Sequence, residues 1–198
     1  MSCLFEPVQL GGLTLKNRIV MAPLTRTRAA SNRVPNELMR QYYCQRAAAG
    51  LIISEATSVS AQGVGYPNTP GIWCKSQIEG WKRITNTVHA HGGKMILQLW
   101  HVGRVSDPEL LNGEIPVAPS AIACEGDVST PHRGPCIKRK LQALLPILCR
   151  RRATHAKRAL TAWKFMRPMG ILSTSSCTII QTAEQTIMAV RWRIGPAF

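Results

Sequence analysis

Residues 92–104 read GGKMILQLWHVGR. Two glycines stop whatever precedes them. A run of apolar side chains follows without polar alternation, and an amide, an indole and an imidazole gather towards its far end. An uninterrupted apolar run bounded by turn residues marks a strand covered on both faces, as in parallel sheets. The stretch before it, SQIEGWKRITNTVHAHGG (76–93), places Ile78, Trp81, Ile84 and Val88 at helical spacing. Those four should face a core. Ser76 and Glu79 stand as a capping-box pair at its start, and Gly92-Gly93 ends it.

The same punctuation recurs upstream. GLIISEATSVS (50–60) is a second strand, followed by a long loop rich in glycine and proline. NELMRQYYCQRAAAG (36–50) is a helix with Pro35 near its start, Glu37 in its first turn and Gly50 where a left-handed terminal residue belongs. NRIVMAPLT (17–25) is the first strand, with an apolar centre expected to be buried on both faces. LFEPVQLGGLTLKN (4–17) reads as a short hairpin turning at Gly11-Gly12. The order hairpin, β, α, β, α, β predicts an α/β fold with a parallel sheet and right-handed crossovers. In closed parallel barrels the chemistry sits at the C-terminal strand ends. Those ends carry Pro23, Leu24, Thr25 and Arg26, then Glu55, Ala56 and Thr57, then Gln98, Trp100 and His101.

The totals bound what these residues can do. A chain of 198 residues suffices for one domain but falls short of the roughly 250 of a complete eight-stranded barrel. No apolar run of about 18 residues predicts a membrane span, and the N-terminus lacks the pattern of a signal peptide. Seven cysteines are scattered without a CxxC, which suits a reducing, cytoplasmic setting and no metal centre. His89 and His91 lie near a helix C-terminus, where imidazoles meet the helix dipole. There is no nucleophile elbow and no P-loop, and GVGYPN follows no strand–helix turn of the dinucleotide-binding kind. Gln98 can donate and accept at once, which suits an imide-like edge such as a flavin pyrimidine. Thr25 can donate to a ring oxygen. A strand-end glutamine is more often structural than functional.

NRIVMAPLTR, YYCQRAAAGLIISEAT and GGKMILQLWHVGR together resemble the Old Yellow Enzyme family, FMN-dependent ene-reductases of the N-ethylmaleimide reductase and 12-oxophytodienoate reductase type. The resemblance runs from about residue 3 to residue 131. It implies the N-terminal portion of a TIM (β/α)8 barrel whose opening hairpin closes the barrel's bottom. It implies that Pro23, Leu24 and Thr25 contact the flavin, that Ala56 lies against the isoalloxazine, and that Gln98 bonds its pyrimidine end. Tyr66 and Trp100 would line the substrate cavity, while Arg26, Glu55 and His101 would serve as salt bridge or loop support. The family passes hydride from NADPH or NADH to FMN and on to an activated alkene, a small-molecule substrate.

The family also needs a His and an Asn, or two His, three residues apart at the end of strand four, with a Tyr two residues beyond the Asn. They should fall near residues 165–172, where this chain reads WKFMRPMG (163–170). Trp and Met have single codons, so the neighbouring frame can be read. Joining each codon's third base to the next codon's first two gives E-I-H-A-x-N-G, the missing motif. With third bases left free, the same shift can turn residues 187–195 into Y-G-G-S-V-E-N-R, a second family hallmark. Charge breaks at the same place. Residues 1–131 hold 12 Lys and Arg against nine acids, net +3, whereas residues 132–198 hold 13 against the single Glu184, net +12.

The expectation is therefore two parts. Residues 1–131 form a partial barrel with a hairpin, three strands and two helices. Residues 132–198 form a basic, out-of-frame tail without a domain of its own, irregular in structure. The family's phosphate-binding strands and its His/Asn pair would be absent, so weak or no FMN binding and no ene-reductase activity are expected of the printed chain. The competing reading is a non-catalytic fragment whose tail, RRRATHAKRALTAWKF (150–165), forms a cationic helix for anionic partners such as nucleic acid. No nucleic-acid fold motif accompanies that charge, so no specific nucleic-acid partner is expected.

Overall fold

A computed structural model of the chain describes residues 3–118 and four further strand segments, 137–138, 162–165, 177–181 and 187–191. β1 (Val8–Leu10) and β2 (Leu13–Leu15) form the expected antiparallel hairpin. Gly11 takes a positive φ of 57° at its turn, a conformation glycine adopts without steric cost. β3 (Val20–Met21), α1 (Glu37–Cys44), β4 (Leu51–Ile53), β5 (Thr57–Ser58), α2 (Lys75–Ala90) and β6 (Met95–Trp100) follow. β3 pairs with β4, and β4 and β5 both pair with β6, all parallel. β7 (Val117–Ala118) pairs with β8 (Ile137–Lys138) in a separate small sheet. β9 (Ala162–Phe165) pairs with β6, and β10 (Cys177–Gln181) makes a hairpin with β11 (Ile187–Arg191).

Side chains alternate across this sheet and both faces are covered, which explains why β4 and most of β6 are apolar. Ile52, Met95 and Leu97 face the helices and pack with Met39, Tyr43, Ala47, Trp81, Ile84 and Val88. Leu51 and Ile96 face the other way and pack against Leu13 and Leu15 of the hairpin. The hairpin thus plugs the end of the sheet where the strands begin, as the resemblance implied. Trp81, Ile84 and Val88 are all buried and Ile78 packs against them, so the helical spacing identified the inward face.

Several expectations are corrected. β3 is short, and Val20 is 46% exposed, because β3 lies at the sheet edge with β4 on one side. The expected strand 50–60 is two strands. Between them the Ser54 N–H still donates to the Ile96 carbonyl at 2.9 Å, but the Gln98 N–H is accepted by the Ser54 hydroxyl at 3.0 Å instead of by a carbonyl. The capping box of α2 lies two residues earlier than Ser76/Glu79. Cys74 is the N-cap, and the Gln77 side chain accepts from the Cys74 and Trp73 N–H groups at 3.2 and 2.8 Å. Glu79 instead pairs with Lys82 at 2.8 Å.

Gly50 is not a left-handed cap either, since α1 ends at Cys44. Its role is close approach: a Cβ there would lie 2.1 Å from the Asn17 carbonyl oxygen. Gly50→Ala must move the backbone that seats β4 beside β3, and should cost at least about 2 kcal/mol in urea unfolding. A shift near zero would show that the junction yields freely.

The C-terminal third was expected to be irregular and the sheet to hold three parallel strands. β9 instead joins β6 in parallel, with Leu97 opposite Trp163 and Leu99 opposite Phe165. An apolar strand with a free edge presents unpaired N–H and C=O groups, and β9 satisfies them. Residues 162–165 are therefore strand, not the end of a cationic helix. The rest of residues 150–161 lies outside the described residues, as do the charges of the tail that flank β9.

Candidate functional site

The C-terminal ends of β3, β4–β5 and β6 lie together because the strands are parallel and in register. After β3 the chain runs extended through Pro23, Leu24, Thr25 and Arg26, with Leu24 56% exposed and Thr25 also open. At the break between β4 and β5, Ala56 is buried, and it packs with Trp100 and Val102. Gln98 is 4% exposed, and its backbone is tied to Ser54 across that break. Tyr66 reaches over from the long loop, its ring 5.3 Å from that of Trp100 and tilted by 37°. The structure thus brings Ala56, Trp100 and Tyr66 into one patch, with Gln98 two residues before Trp100 on the same face of β6. Pro23, Leu24 and Thr25 stay at the open end of β3 beside it.

The residues expected to support this patch do so in ways the sequence did not reveal. Glu55 is almost wholly buried. Its Oε1 accepts from the Tyr43 hydroxyl at 3.2 Å, and the same hydroxyl accepts the Glu55 N–H at 2.9 Å. The Arg26 N–H approaches Oε2 at 3.4 Å. Burial raises the Glu55 pKa, against the hydrogen bonds from Arg26 and Tyr43 that lower it. Arg26 and Glu55, each expected to serve as salt bridge or loop support, meet through the Arg26 backbone N–H rather than through its guanidinium. The Arg26 guanidinium lies over the Tyr42 ring at 4.8 Å, and Arg46 lies over that ring at 3.9 Å. A cavity of about 200 Å³ lies beside them, lined by Arg26, Arg28, Leu38, Gln41, Tyr42 and Glu55. Ligand pockets usually begin near 300 Å³, so this one is too small for a flavin.

His101 supports the loop that follows β6. Its Nδ1 accepts the Gly103 N–H at 3.1 Å, which places the ring hydrogen on Nε2. The ring packs against Gly63, where an added Cβ would lie 2.9 Å from Cδ2. Nε2 has no partner, nor do the buried hydroxyls of Ser58 and Ser60. Burial lowers the His101 pKa to about 4 from 6.5.

The sign follows. The folded ring stays neutral while the unfolded one takes a proton below 6.5, so stability is full above 6.5 and is lost as pH falls towards 4. The loss at the low end should be about 3 kcal/mol. Glu55, whose pKa is raised, works oppositely, since its contribution is lost as pH rises above the ordinary 4.5. Urea unfolding between pH 6.5 and 4 should therefore show a slope that His101→Gln flattens. An unchanged slope in the variant would remove His101 as its source.

The comparisons with known proteins fit this arrangement. Residues 3–143 match the model of the NADH:flavin oxidoreductase / NADH oxidase family. Flavin oxidoreductase hxnT of Emericella nidulans is 48% identical over 128 residues, covering 62% of this chain and 33% of the relative. The putative 12-oxophytodienoate reductase-like protein 1 of Arabidopsis thaliana is 53% identical over 106 residues, 52% of this chain and 32% of its own. The chain thus spans about a third of the length of these curated relatives. Among solved structures, morphinone reductase in complex with tetrahydroNAD superposes with a TM-score of 0.74 at 44% identity, over 83% of this chain and 49% of the other. The Old Yellow Enzyme homologue of Zymomonas mobilis gives 0.74 at 42% identity, over 83% and 48%. Parallel strand ends bearing Thr25, Ala56 and Gln98, the hairpin beneath them and these matches agree: the chain belongs to the NADH:flavin oxidoreductase / NADH oxidase family, in its Old Yellow Enzyme branch.

Proposed function

We propose that residues 3–118 supply one side of an FMN site for NAD(P)H-dependent reduction of activated alkenes. The observation that carries this is Gln98, a buried amide set beside the small side chain of Ala56 at adjoining strand ends. That donor set fits the pyrimidine edge of a flavin, which presents an N–H between carbonyls. Bound FMN supplies hydride transfer. Gln98 would hold its pyrimidine edge, and Thr25 would donate a hydroxyl hydrogen to the ring. Pro23 and Leu24 would border it. Ala56 leaves room for a flat ring where a larger side chain would intrude. Tyr66 and Trp100 form an aromatic wall for the substrate, able to exclude water from it.

The second part of the proposal is that the chain from about residue 132 is an out-of-frame continuation, so that the printed protein binds FMN weakly or not at all and lacks ene-reductase activity. The shifted motifs and the charge break support this. The position of β9 supports it too. β9 is the next parallel strand beyond β6 and ends at Phe165, where the family's His and Asn are expected and where the neighbouring frame can encode them. Sequencing the coding DNA across codons 125–140 tests it directly: an intact frame without a lesion against its relatives' genes would end the proposal. A purified 198-residue protein that is yellow, with a flavin spectrum, would overturn the loss of FMN binding.

A further inference from the structure

Two loops border the site, one between β3 and α1 (22–36) and one between β5 and α2 (59–74). The first carries Thr25 and the second carries Tyr66. Arg33 joins them. Its Nη1 donates to the Tyr66 carbonyl at 2.9 Å, to the Thr69 hydroxyl at 2.9 Å and to the Thr69 carbonyl at 3.2 Å. The Thr69 hydroxyl passes its own hydrogen to the Tyr66 carbonyl at 3.1 Å. One nitrogen thus closes both ends of the turn 66–69. Backbone bonds flank it: the Ala29 N–H donates to the Asn68 carbonyl at 3.0 Å, and the Gly71 N–H to the Arg33 carbonyl at 2.9 Å.

The local backbone is bent to make this reach. Asn32 and Arg33 both take positive φ, 57° and 59°. Asparagine tolerates that region, whereas an arginine there carries strain that its surroundings must hold in place. The turn it grips has little else to fix it. Tyr66 is 46% exposed, so burial does not set its position, although its ring stands 5.3 Å from that of Trp100. Thr69, by contrast, is fully buried and gives the guanidinium a rigid acceptor.

We propose that Arg33 is a positioning residue for the substrate side of the site: its guanidinium holds the turn 66–69 so that the Tyr66 ring stands against Trp100. The role in substrate binding rests on the reading of these two rings as the substrate's wall; the hold on Tyr66 does not. Arg33 acts on the alkene only through Tyr66, so its loss bears on the aromatic wall and leaves the flavin edge at Gln98 as it is.

The test is fluorine NMR of the 198-residue protein labelled with 5-fluorotryptophan, which gives one resonance for each of five tryptophans. Trp100→Phe assigns the Trp100 signal, and Tyr66→Leu sets the shift that losing the neighbouring ring causes. Arg33→Gly should reproduce most of that shift. Glycine accepts positive φ without cost and keeps the backbone bond to Gly71, so the change reports the missing guanidinium rather than relieved or added strain. Arg33→Lys should leave Trp100 near its native position, because all three bonds leave one nitrogen and an ammonium has three donors. The Trp81 signal, from the core, should stay in place throughout. A Trp100 signal that Tyr66→Leu moves and Arg33→Gly does not would overturn the proposal, as would one that Arg33→Lys moves as far as Arg33→Gly. Should Trp81 move in the glycine variant, reporting a disturbed core, Arg33→Met takes its place with the same two outcomes. The signal needs neither flavin nor turnover, so a protein that fails the FMN reading can still pass this test.

Discussion

Replacing Trp81 by alanine should cost about 3–5 kcal/mol of stability, the largest effect of any single substitution in the described core. Trp81 is 1% exposed and lies between the sheet and α1, its ring 6.1 Å from that of Tyr43. It packs in one cluster with Ile84, Val88, Met95 and Leu97, so the cavity left behind opens against both layers. Its indole N–H also donates to the Gly71 carbonyl at 3.2 Å, and that acceptor would be left without it. Domains of this size hold about 5–15 kcal/mol in all, so the variant should be largely unfolded under mild denaturant. Urea unfolding followed by circular dichroism reads the difference. Trp81→Phe separates the two causes, because it keeps much of the packing and loses only the hydrogen bond, about 1 kcal/mol. A loss below about 1 kcal/mol for the alanine variant would mean that α2 does not anchor the sheet.

The second large effect is a gain. A gene repaired by one base before codon 132 should encode a yellow protein that reduces activated alkenes at least about 100-fold faster than the printed chain, the scale of losing donors to a developing oxyanion. The register of β9 makes this specific. Gln98 stands opposite Lys164 and Leu99 opposite Phe165. The shifted histidine spans the codons of Phe165 and Met166, so it would stand beside Leu99 and Trp100, next to the aromatic wall. Gln98→Leu in the repaired protein should weaken FMN binding without unfolding it, as read by flavin release. A repaired protein that stays colourless would remove the frame reading and the FMN reading together. One that is yellow but inactive would remove only the alkene chemistry.

The strands were legible because a sheet packed on both faces writes itself as apolar runs between glycines. The helix faces were legible because Trp81, Ile84 and Val88 recur at helical spacing. What could not be read was anything decided by a side chain replacing backbone. Ser54 breaks the second strand by accepting an N–H that a carbonyl would otherwise take. Cys74 and Gln77 have the same spacing as Ser76 and Glu79, and the position of the Gln77 amide against Trp73 and Cys74 decides between them. Of the site, residue chemistry alone offered Gln98 and Thr25 with alternatives open, and family resemblance supplied Pro23, Leu24, Ala56, Tyr66 and Trp100. The Glu55–Tyr43 link was invisible, because it joins residues 12 positions apart through a helix whose docking no local pattern specifies.

The sheet has one more property. Its neighbours β3, β4, β6 and β9 follow one another in the order in which they are synthesised. Each strand therefore finds its partner already emerged from the ribosome. That layer can dock during translation, before the codons past 131 are decoded. A frame error there would meet a half-assembled protein rather than an unfolded one. Its product would carry a native-like front to the cell's quality control.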